Sequence, residues 1–326
     1  MPTPSAPPSV SSDTSARSAL RRARFTIVLG AYNGEKWLAD QLASYKAQTD
    51  TAWDLWVSDD GSTDATRDII RAFAAEVGPD HAVRLIRGPG QGFATNFLSA
   101  LCHPEFPAGP VALSDQDDVW HPGKLAHARA GLGTGGPVTI YGGLLRMTDA
   151  GLQPIGRSHP PKRPPGFGNA LVQNVVSGNS LVLSPGALAL VRRVGVPAGV
   201  PYHDWWLYQL VSGAGGSVVI DPRIVVDYRQ HGQNTMGAHR GFAATLERAM
   251  QVLGRDYGSW IATNIAALQA AENELTRRNR ARLRALTAVP VRPGLARMRA
   301  FARAGIYRQT RLTTLALYIA AALGRV

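Results

Sequence analysis

The stretch ALSDQDDVWH, residues Ala112 to His121, places three carboxylates within four positions directly after an apolar run. Side chains alternate in an extended segment, so Asp115 and Asp117 project to one side while Asp118 points away. Two carboxylates facing one point repel, which raises a pKa and opposes folding unless a cation or a basic partner lies between them. Oxygen ligands suit Mg²⁺ or Mn²⁺, and Mg²⁺ is commonly held by one or two carboxylates together with substrate phosphates. The stretch therefore reads as a strand end carrying a metal that carries a phosphate. An Asx-type turn, or a cap for the helix beginning near His121, accounts for one of the acids but not for three.

Working outward, the same arrangement recurs upstream. FTIVLG precedes the helical EKWLADQLASYKAQ, WDLWVSD precedes ATRDIIRAFAAEV, VRLIR precedes FATNFLSAL, and VALSD precedes GKLAHARAG. Repeated β-α units of this spacing imply a parallel sheet with crossover helices on its faces. Ligands of such sheets bind beyond the carboxyl ends of the strands. Those ends read AYNGE, SDDGSTD, RGPGQG and SDQDD, so acids accumulate along one rim. In SDDGSTD, Ser62, Thr63 and Asp64 suffice to start the next helix, which leaves Asp59 and Asp60. A carboxylate only accepts hydrogen bonds, so it can receive the imide N–H of uracil or thymine, or a ribose hydroxyl.

After Thr148 the alternation loosens. PPKRPPGFGN is a loop, SGNSLVLS begins another strand, YHDWWLYQLVSG is a helix, and VVIDPRIVVDYRQHG reads as two strands joined by a Pro turn. From about Ala238 the chain is helical and Arg-rich, with a break at VPVRPG. Three regions result: a flexible leader rich in Pro and Ser (1–22), an α/β catalytic domain (23–237), and a basic helical region (238–326).

A chain of 326 residues with 45% apolar content suits one large α/β domain plus an appendage and excludes a disordered polypeptide. Cys102 is the single cysteine, which excludes an intrachain disulfide framework and a cysteine-based zinc site and fits a reducing cytoplasm. No uninterrupted apolar run reaches the roughly 20 residues that span a bilayer. Lys and Arg outnumber Asp and Glu by 35 to 23, with much of the excess after Arg240. That asymmetry points to an anionic surface, nucleic acid or phospholipid, although a merely solvated helical face is an equal reading. Aromatic residues are not interleaved there as a nucleic-acid stacking platform requires, so no nucleic-acid partner is expected. Arg297, Arg299, Arg303, Arg308 and Arg311 sit beside apolar positions, a pattern suited to a helix lying on anionic lipid. The alternative is that these helices pack against the catalytic domain or a second subunit, giving a homo-oligomer.

TIVLGAYNGEKWLADQLASYKAQ, VSDDGSTDATRDII, GPGQGFATNFLSAL and ALSDQDDVWHPGKL together resemble family-2 glycosyltransferases of the GT-A fold, an α/β nucleotide-diphospho-sugar transferase fold with a Rossmann-like mixed sheet. The likeness is greatest to bacterial rhamnosyltransferase-like members acting on surface polysaccharides. It runs from about Thr26 to about Met236, because HDWWLYQLVSGAGGSVVIDPRIVVDYRQHGQN matches the second half of that group. The resemblance implies a metal-dependent, inverting transfer from a dTDP- or UDP-linked sugar to a glycan or lipid-linked acceptor. The single cysteine and the basic tail together lead to an expected location in the cytoplasm, peripheral at the inner face of the cytoplasmic membrane. Asp59 or Asp60 would bind base and ribose with Tyr32 near the base, Asp115 and Gln116 would contact the donor, and Asp115 with Asp117 would form the DxD-type pair holding Mg²⁺ or Mn²⁺. His231 matches a histidine that reaches the metal or diphosphate, and Asp204 occupies the position of the catalytic base. Gly178 and Asn179 would leave space for the acceptor, where a strand bend is an equal reading; Trp205 or Trp206 would stack on its sugar, or lie in the core.

The chemistry supports these roles independently. A departing diphosphate needs a metal and cationic donors, a task suited to Arg87, Arg229 or His231. Near a helix N-terminus the Asp204 carboxylate is favoured in its charged, proton-accepting form, though it could merely cap that helix. His231 could instead satisfy a backbone carbonyl. GQGFATNFL lacks the arginine that many family members place before the asparagine, so Asn96 is expected to work with Arg87. A nucleotidyltransferase would also use paired carboxylates, but AYNGEKW is a poor phosphate loop.

Overall fold

The computed structural model describes residues 20–232 and 255–326. Strands β1 (Phe25–Ala31), β2 (Trp53–Asp59), β3 (Val83–Arg87) and β4 (Val111–Ser114) lie parallel and are joined by α1 (Leu38–Lys46), α2 (Thr66–Val77) and α3 (Phe93–Leu101). The β1 sequence FTIVLGA is apolar throughout because both faces are covered. Ile27 and Leu29 enter one core with Leu38, Leu42 and Tyr45, while Val28 enters the other with Phe97 and Trp206. The alternation of a strand thus feeds two separate cores.

The second half comprises β5 (Val119–Trp120), α4 (Lys124–Leu132), β6 (Thr139–Thr148), β7 (Pro154–Arg157), α5 (Phe167–Ala170), β8 (Val182–Leu183), α6 (Pro185–Val194), α7 (His203–Gly213) and β9 (Ser217–Arg229). The sheet runs β3-β2-β1-β4-β8-β6-β9-β5, with β7 on β6. β8 is antiparallel to both β4 and β6, whereas β6 and β9 are parallel. The sheet is therefore mixed.

One expectation changes here. The segment around Pro222 is a single strand of 13 residues rather than two strands and a turn. Its pairing jumps from Gly142↔Ile220 to Leu144↔Ile224, so the proline sits in a bulge where no ladder N–H is required. Asp221 stabilises the bulge by accepting hydrogen bonds from the Arg223 backbone N–H (3.0 Å), Arg223 Nε (2.8 Å) and the Tyr141 hydroxyl (2.9 Å).

The described chain begins at Leu20, slightly before residue 23. Leu20 to Arg22 form a helical turn, and Arg129 Nη1 donates to the carbonyls of Leu20 (2.6 Å) and Ala23 (2.8 Å). Most of the expected leader, and the domain boundary near residue 238, lie outside the described residues.

The C-terminal helices are α8 (Arg255–Ala270), α9 (Arg277–Thr287), α10 (Leu295–Arg303) and α11 (Arg311–Ala322). Tyr257, Ile261, Leu268, Leu283, Phe301 and Leu317 share one apolar cluster with Phe167, Leu171 and Trp205. These helices thus pack on the α/β domain. Two of the five arginines expected at a lipid surface are buried instead. Arg297 donates to the carbonyls of Leu286 (2.6 Å), Val289 (2.9 Å) and Val326 (3.0 Å). Arg308 donates to the Val172 carbonyl (2.9 Å) and the Tyr257 hydroxyl (2.5 Å). A guanidinium fork can satisfy several carbonyls left open at helix ends, which makes arginine a tolerable core residue there. Arg299, Arg303 and Arg311 remain exposed. Among the described residues no helix is long and apolar enough to cross a membrane.

Candidate active site

The loops after β1 and β2 are laced together. Asn33 adopts a left-handed conformation (φ 48°), which asparagine tolerates, and its Oδ1 accepts the Thr63 N–H at 2.8 Å. The N–H groups of Asn33, Gly34 and Glu35 donate to Ser62 Oγ (2.9 Å), Thr66 Oγ1 (2.7 Å) and Asp64 Oδ2 (3.1 Å), and Ala65 N–H returns a bond to Glu35 at 2.9 Å. Asp59 is buried beneath Arg67, whose Nε donates at 2.5 Å, and also accepts from Ser62 N–H at 3.2 Å. Asp60 keeps partial solvent access and accepts the N–H groups of Gly90 (2.7 Å) and Gly92 (2.9 Å), holding the GPGQG loop. Although burial opposes it, hydrogen bonds from Thr66 and the Glu35 N–H hold the Asp64 carboxyl below its ordinary value.

Several donor-side expectations resolve differently. Gln116 spends its amide on the backbone of Tyr32, accepting its N–H (2.9 Å) and donating to its carbonyl (2.8 Å). A Cβ at Gly34 would fall 2.3 Å from Gln116 Oε1, so that glycine permits the contact. Gln116 thus orients Tyr32, whose ring is 59% exposed, rather than offering its own amide to a ligand. Asn96 is buried against Ser58, accepting from its hydroxyl (2.6 Å) and donating to its carbonyl (2.9 Å), and does not work with Arg87. Arg87 is exposed at the end of β3, in register with Asp59.

The turn after β4 has the opposite character. Burial, then the charges of Asp117 and Asp204, push the Asp115 carboxyl up to about 7, opposed only by Lys124. Asp117 Oδ2 lies 2.8 Å from His231 Nε2. Asp118 points into the interior, accepting from Asn179 Nδ2 (2.6 Å) and Arg229 N–H (3.2 Å), and burial with its acidic neighbours holds it well above the usual range. Lys124, which the sequence reading passed over, is fully buried. Its ammonium donates to the Asn179 carbonyl (2.5 Å), lies 3.2 Å over the Trp120 ring centroid, and is pushed well below its ordinary value by burial. Its signal was local: a lysine opening a helix sits at the wrong end of the dipole and needs another reason to be there.

Asp204 lies in the first turn of α7, one residue inside the helix, while Tyr202 occupies the N-cap position. Its oxygens accept from Gly178 N–H (3.0 Å) and Trp205 N–H (2.7 Å). Burial nevertheless raises it to about 6 against these bonds and one from Asn174. A Cβ on Gly178 would fall 2.8 Å from His203 Nε2, so this glycine is needed for backbone approach to Asp204 rather than to leave acceptor space.

The other acceptor candidates are withdrawn into the fold. Asn179 is buried and committed to Asp118, Ser177 and Lys124. Trp205 and Trp206 are 5% and 0% exposed and present no face to a sugar; Trp205 Nε1 donates to the Ala170 carbonyl at 2.6 Å. A small open cavity of about 80 Å³ lies nearby, lined by Gly142, Ser158, His159, Val176, Ser177 and Ile220.

Arg229, expected among the cations facing a diphosphate, is buried as a splint. It donates to the carbonyls of Asp117 (3.0 Å) and Ala150 (2.6 Å) and to Asp40 Oδ2 (2.8 Å), and its guanidinium lies 4.2 Å from the Trp37 ring centroid. His231 stacks on the same Trp37, with centroids 5.9 Å apart. Trp37 thus packs against both side chains, a contact that its place in a helix-like stretch of sequence concealed.

Among the described residues no three His, Cys, Asp or Glu side chains converge into a metal site made by protein alone. Asp117 and His231 nevertheless present two adjacent donors, and Mg²⁺ or Mn²⁺ in phosphate-binding sites takes few protein ligands and fills the rest with phosphate and water. The elevated Asp115 beside them marks an excess of negative charge that a dication would relieve. The donor set fits such an ion.

The Glycosyl transferase family 2 model matches residues 26–194, just over half of the chain. The dTDP-rhamnosyl transferase RfbG of Shigella flexneri is 24% identical over 245 residues, covering 70% of this chain and 80% of its own. The S. aureus TarS 1-349 structure in complex with UDP-GlcNAc is similar with a TM-score of 0.51 at 14% identity, over 87% of this chain and 93% of that one. The mannosyltransferase PcManGT from Pyrobaculum calidifontis, in complex with GDP-Man and Mn²⁺, gives a TM-score of 0.51 at 20% identity, over 96% and 93%. The mixed sheet with its helical C-terminal region shares its fold with these GT-A glycosyltransferases. With its acidic strand ends in the matched segment, the chain belongs to glycosyl transferase family 2 and is a glycosyltransferase.

Proposed function

We propose that the protein is an inverting, divalent-metal-dependent hexosyltransferase that moves a sugar from a nucleoside diphosphate to a glycan or lipid-linked acceptor in cell-surface polysaccharide synthesis. The observation that carries this reading is the convergence of Asp115, Asp117, Asp204 and His231 from three separate segments: the charges of Asp117 and Asp204 act on the buried Asp115, and Asp117 Oδ2 lies 2.8 Å from His231 Nε2. Asp117 and His231 would hold Mg²⁺ or Mn²⁺ with Asp115 alongside. When bound, the ion would neutralise charge developing on the diphosphate. Arg87 and the partly exposed Asp60 stand on the donor side with Tyr32, where the phosphates, base and ribose would lie.

Asp204 accepts the proton of the attacking acceptor hydroxyl. A new bond forms at the anomeric carbon as the bond to the diphosphate oxygen breaks on the opposite face, so one base and no nucleophilic carboxylate give inversion. Raising the Asp204 carboxyl to about 6 makes it a stronger base that is still ionised at neutral pH. Transfer should therefore fall about tenfold per pH unit below that value. The name of the Shigella relative favours dTDP-rhamnose as the first donor to test, with UDP-sugars next, and a lipid-linked acceptor would place the enzyme at the inner face of the cytoplasmic membrane.

Asp204→Asn tests the assignment. It should bind nucleotide and Mn²⁺ as the parent does while transfer falls about 10²–10⁴-fold, the usual worth of a general base. A fully active variant refutes the assignment. Thermal-shift screening of nucleotide sugars with and without Mn²⁺ identifies the donor.

A further inference from the structure

We propose that α10 and α11 form a rigid in-plane docking face for an anionic phospholipid surface. Leu312, Leu315, Ile319 and Leu323 are 56%, 58%, 47% and 51% exposed. Their spacing of three or four residues aligns them on one side of α11, while Thr313, Leu317, Ala320 and Ala321 face inward. Val291 and Leu295 are also exposed and flank the far end of the stripe, because Gly294 N–H donates to the Ala322 carbonyl at 2.7 Å. Six of the nine large hydrophobic side chains exposed among the described residues thus fall within residues 291–323, so they form a patch rather than scattered exposure.

The charge around this patch selects the occupant. Beyond Glu274 the chain carries 12 arginines and no acidic residue. Arg292, Arg299, Arg303 and Arg311 are exposed, and Leu295, Arg299 and Arg303 follow one another along one side of α10 at four-residue steps. A second copy of the chain on this face would set arginines against arginines with no carboxylate between them. An anionic bilayer offers an acyl phase to the leucines and phosphates to the guanidinium groups together. With 12 residues, α11 is about 18 Å long, short of the roughly 30 Å of a hydrocarbon core, so it lies in the interface rather than across it.

The face is held rigidly. Arg308 ties the start of α11 to the Val172 carbonyl, and Asn169 Nδ2 donates to the Tyr307 carbonyl at 3.0 Å. The segment gripped in this way runs on to Gly178, which bonds Asp204. The inference does not depend on the transfer reaction, since binding is read without nucleotide or sugar.

Co-sedimentation of the full chain with vesicles of phosphatidylcholine alone, or of an equal mixture with phosphatidylglycerol, tests it. The protein should pellet with the mixed vesicles and stay in solution with the neutral ones. Leu315→Ser/Ile319→Ser and Arg299→Gln/Arg303→Gln/Arg311→Gln should each weaken that binding, the second on the order of a hundredfold. Circular dichroism and nucleotide binding check that both variants are folded. Equal binding to both vesicle types, or binding untouched in folded variants, overturns the proposal. So does a concentration-dependent dimer in sedimentation velocity that Leu315→Ser/Ile319→Ser dissolves, because the face would then be covered by a second copy.

Discussion

Two acidic strand ends, SDDGSTD after β2 and SDQDD after β4, are nearly alike in composition and opposite in electrostatics. In the first, each acid meets donors supplied by the fold: Arg67 at Asp59, two loop N–H groups at Asp60, Thr66 and a backbone N–H at Asp64. In the second, Asp115 is driven upward by burial and the charges of Asp117 and Asp204, Asp118 by burial and the charges of Asp117 and Asp115, and the buried Lys124 beside them is itself pushed down. Acids whose demands the chain meets brace the loops of the rim, whereas acids left in excess are where the proposed metal and diphosphate would bind. Counting carboxylates does not separate the two; the balance of donors against burial and neighbouring charge does.

The comparison can be broken at either end. Asp59→Ala removes the partner of Arg67 and leaves the Ser62 N–H short of an acceptor, so unfolding free energy should fall by about 1–2 kcal/mol while turnover per folded molecule changes only a few-fold. Lost transfer with unchanged denaturant stability would show that the first cluster is functional too. Asp115→Asn should do the reverse, stabilising the metal-free protein. Asp115 titrates near 7 in the fold against an ordinary 3.8, so its folded form binds more protons between those values. Its contribution is full below 3.8 and is lost as pH rises through 7. In EDTA the variant should match the parent near pH 4 and exceed it by about 1 kcal/mol at pH 8, a figure kept low because Asp115 retains some solvent. A variant less stable at both pH values would mean that the acid is held by donors after all.

Much of the fold was legible because it is written in local periodicity. FTIVLG, WDLWVSD and VALSD announce strands, and Ile70, Phe73 and Val77 face the core of α2 at helical spacing. Pro222 misled because a bulge and a turn share the same residues, and only register with β6 separates them. In the candidate site, residue type and position at a strand end brought Asp115 and Asp117 forward, whereas Asp204 and His231 came forward only through the family resemblance. Placement of long side chains was not legible. Arg229, Arg297 and Arg308 look like surface cations, yet each is buried on carbonyls, in one case 136 residues away at Val172. Trp205 and Trp206 fit a sugar platform or a core equally well in sequence, and α7 packs both inward. His203, beside the proposed base, is buried on Phe97 with centroids 4.2 Å apart and held neutral by burial, an environment no neighbour in sequence announces.

The central claim is that surplus carboxylates after β4 hold a diphosphate through a divalent cation. Calorimetric titration of dTDP into the full chain, with Mn²⁺ and then with EDTA, measures it directly, with Asp117→Asn as the paired variant. The account predicts binding that requires Mn²⁺ and weakens on the order of a hundredfold in the variant, which loses a charged ligand to the ion that joins protein and diphosphate. Equal affinity in Mn²⁺ and in EDTA, unchanged by Asp117→Asn, would contradict it.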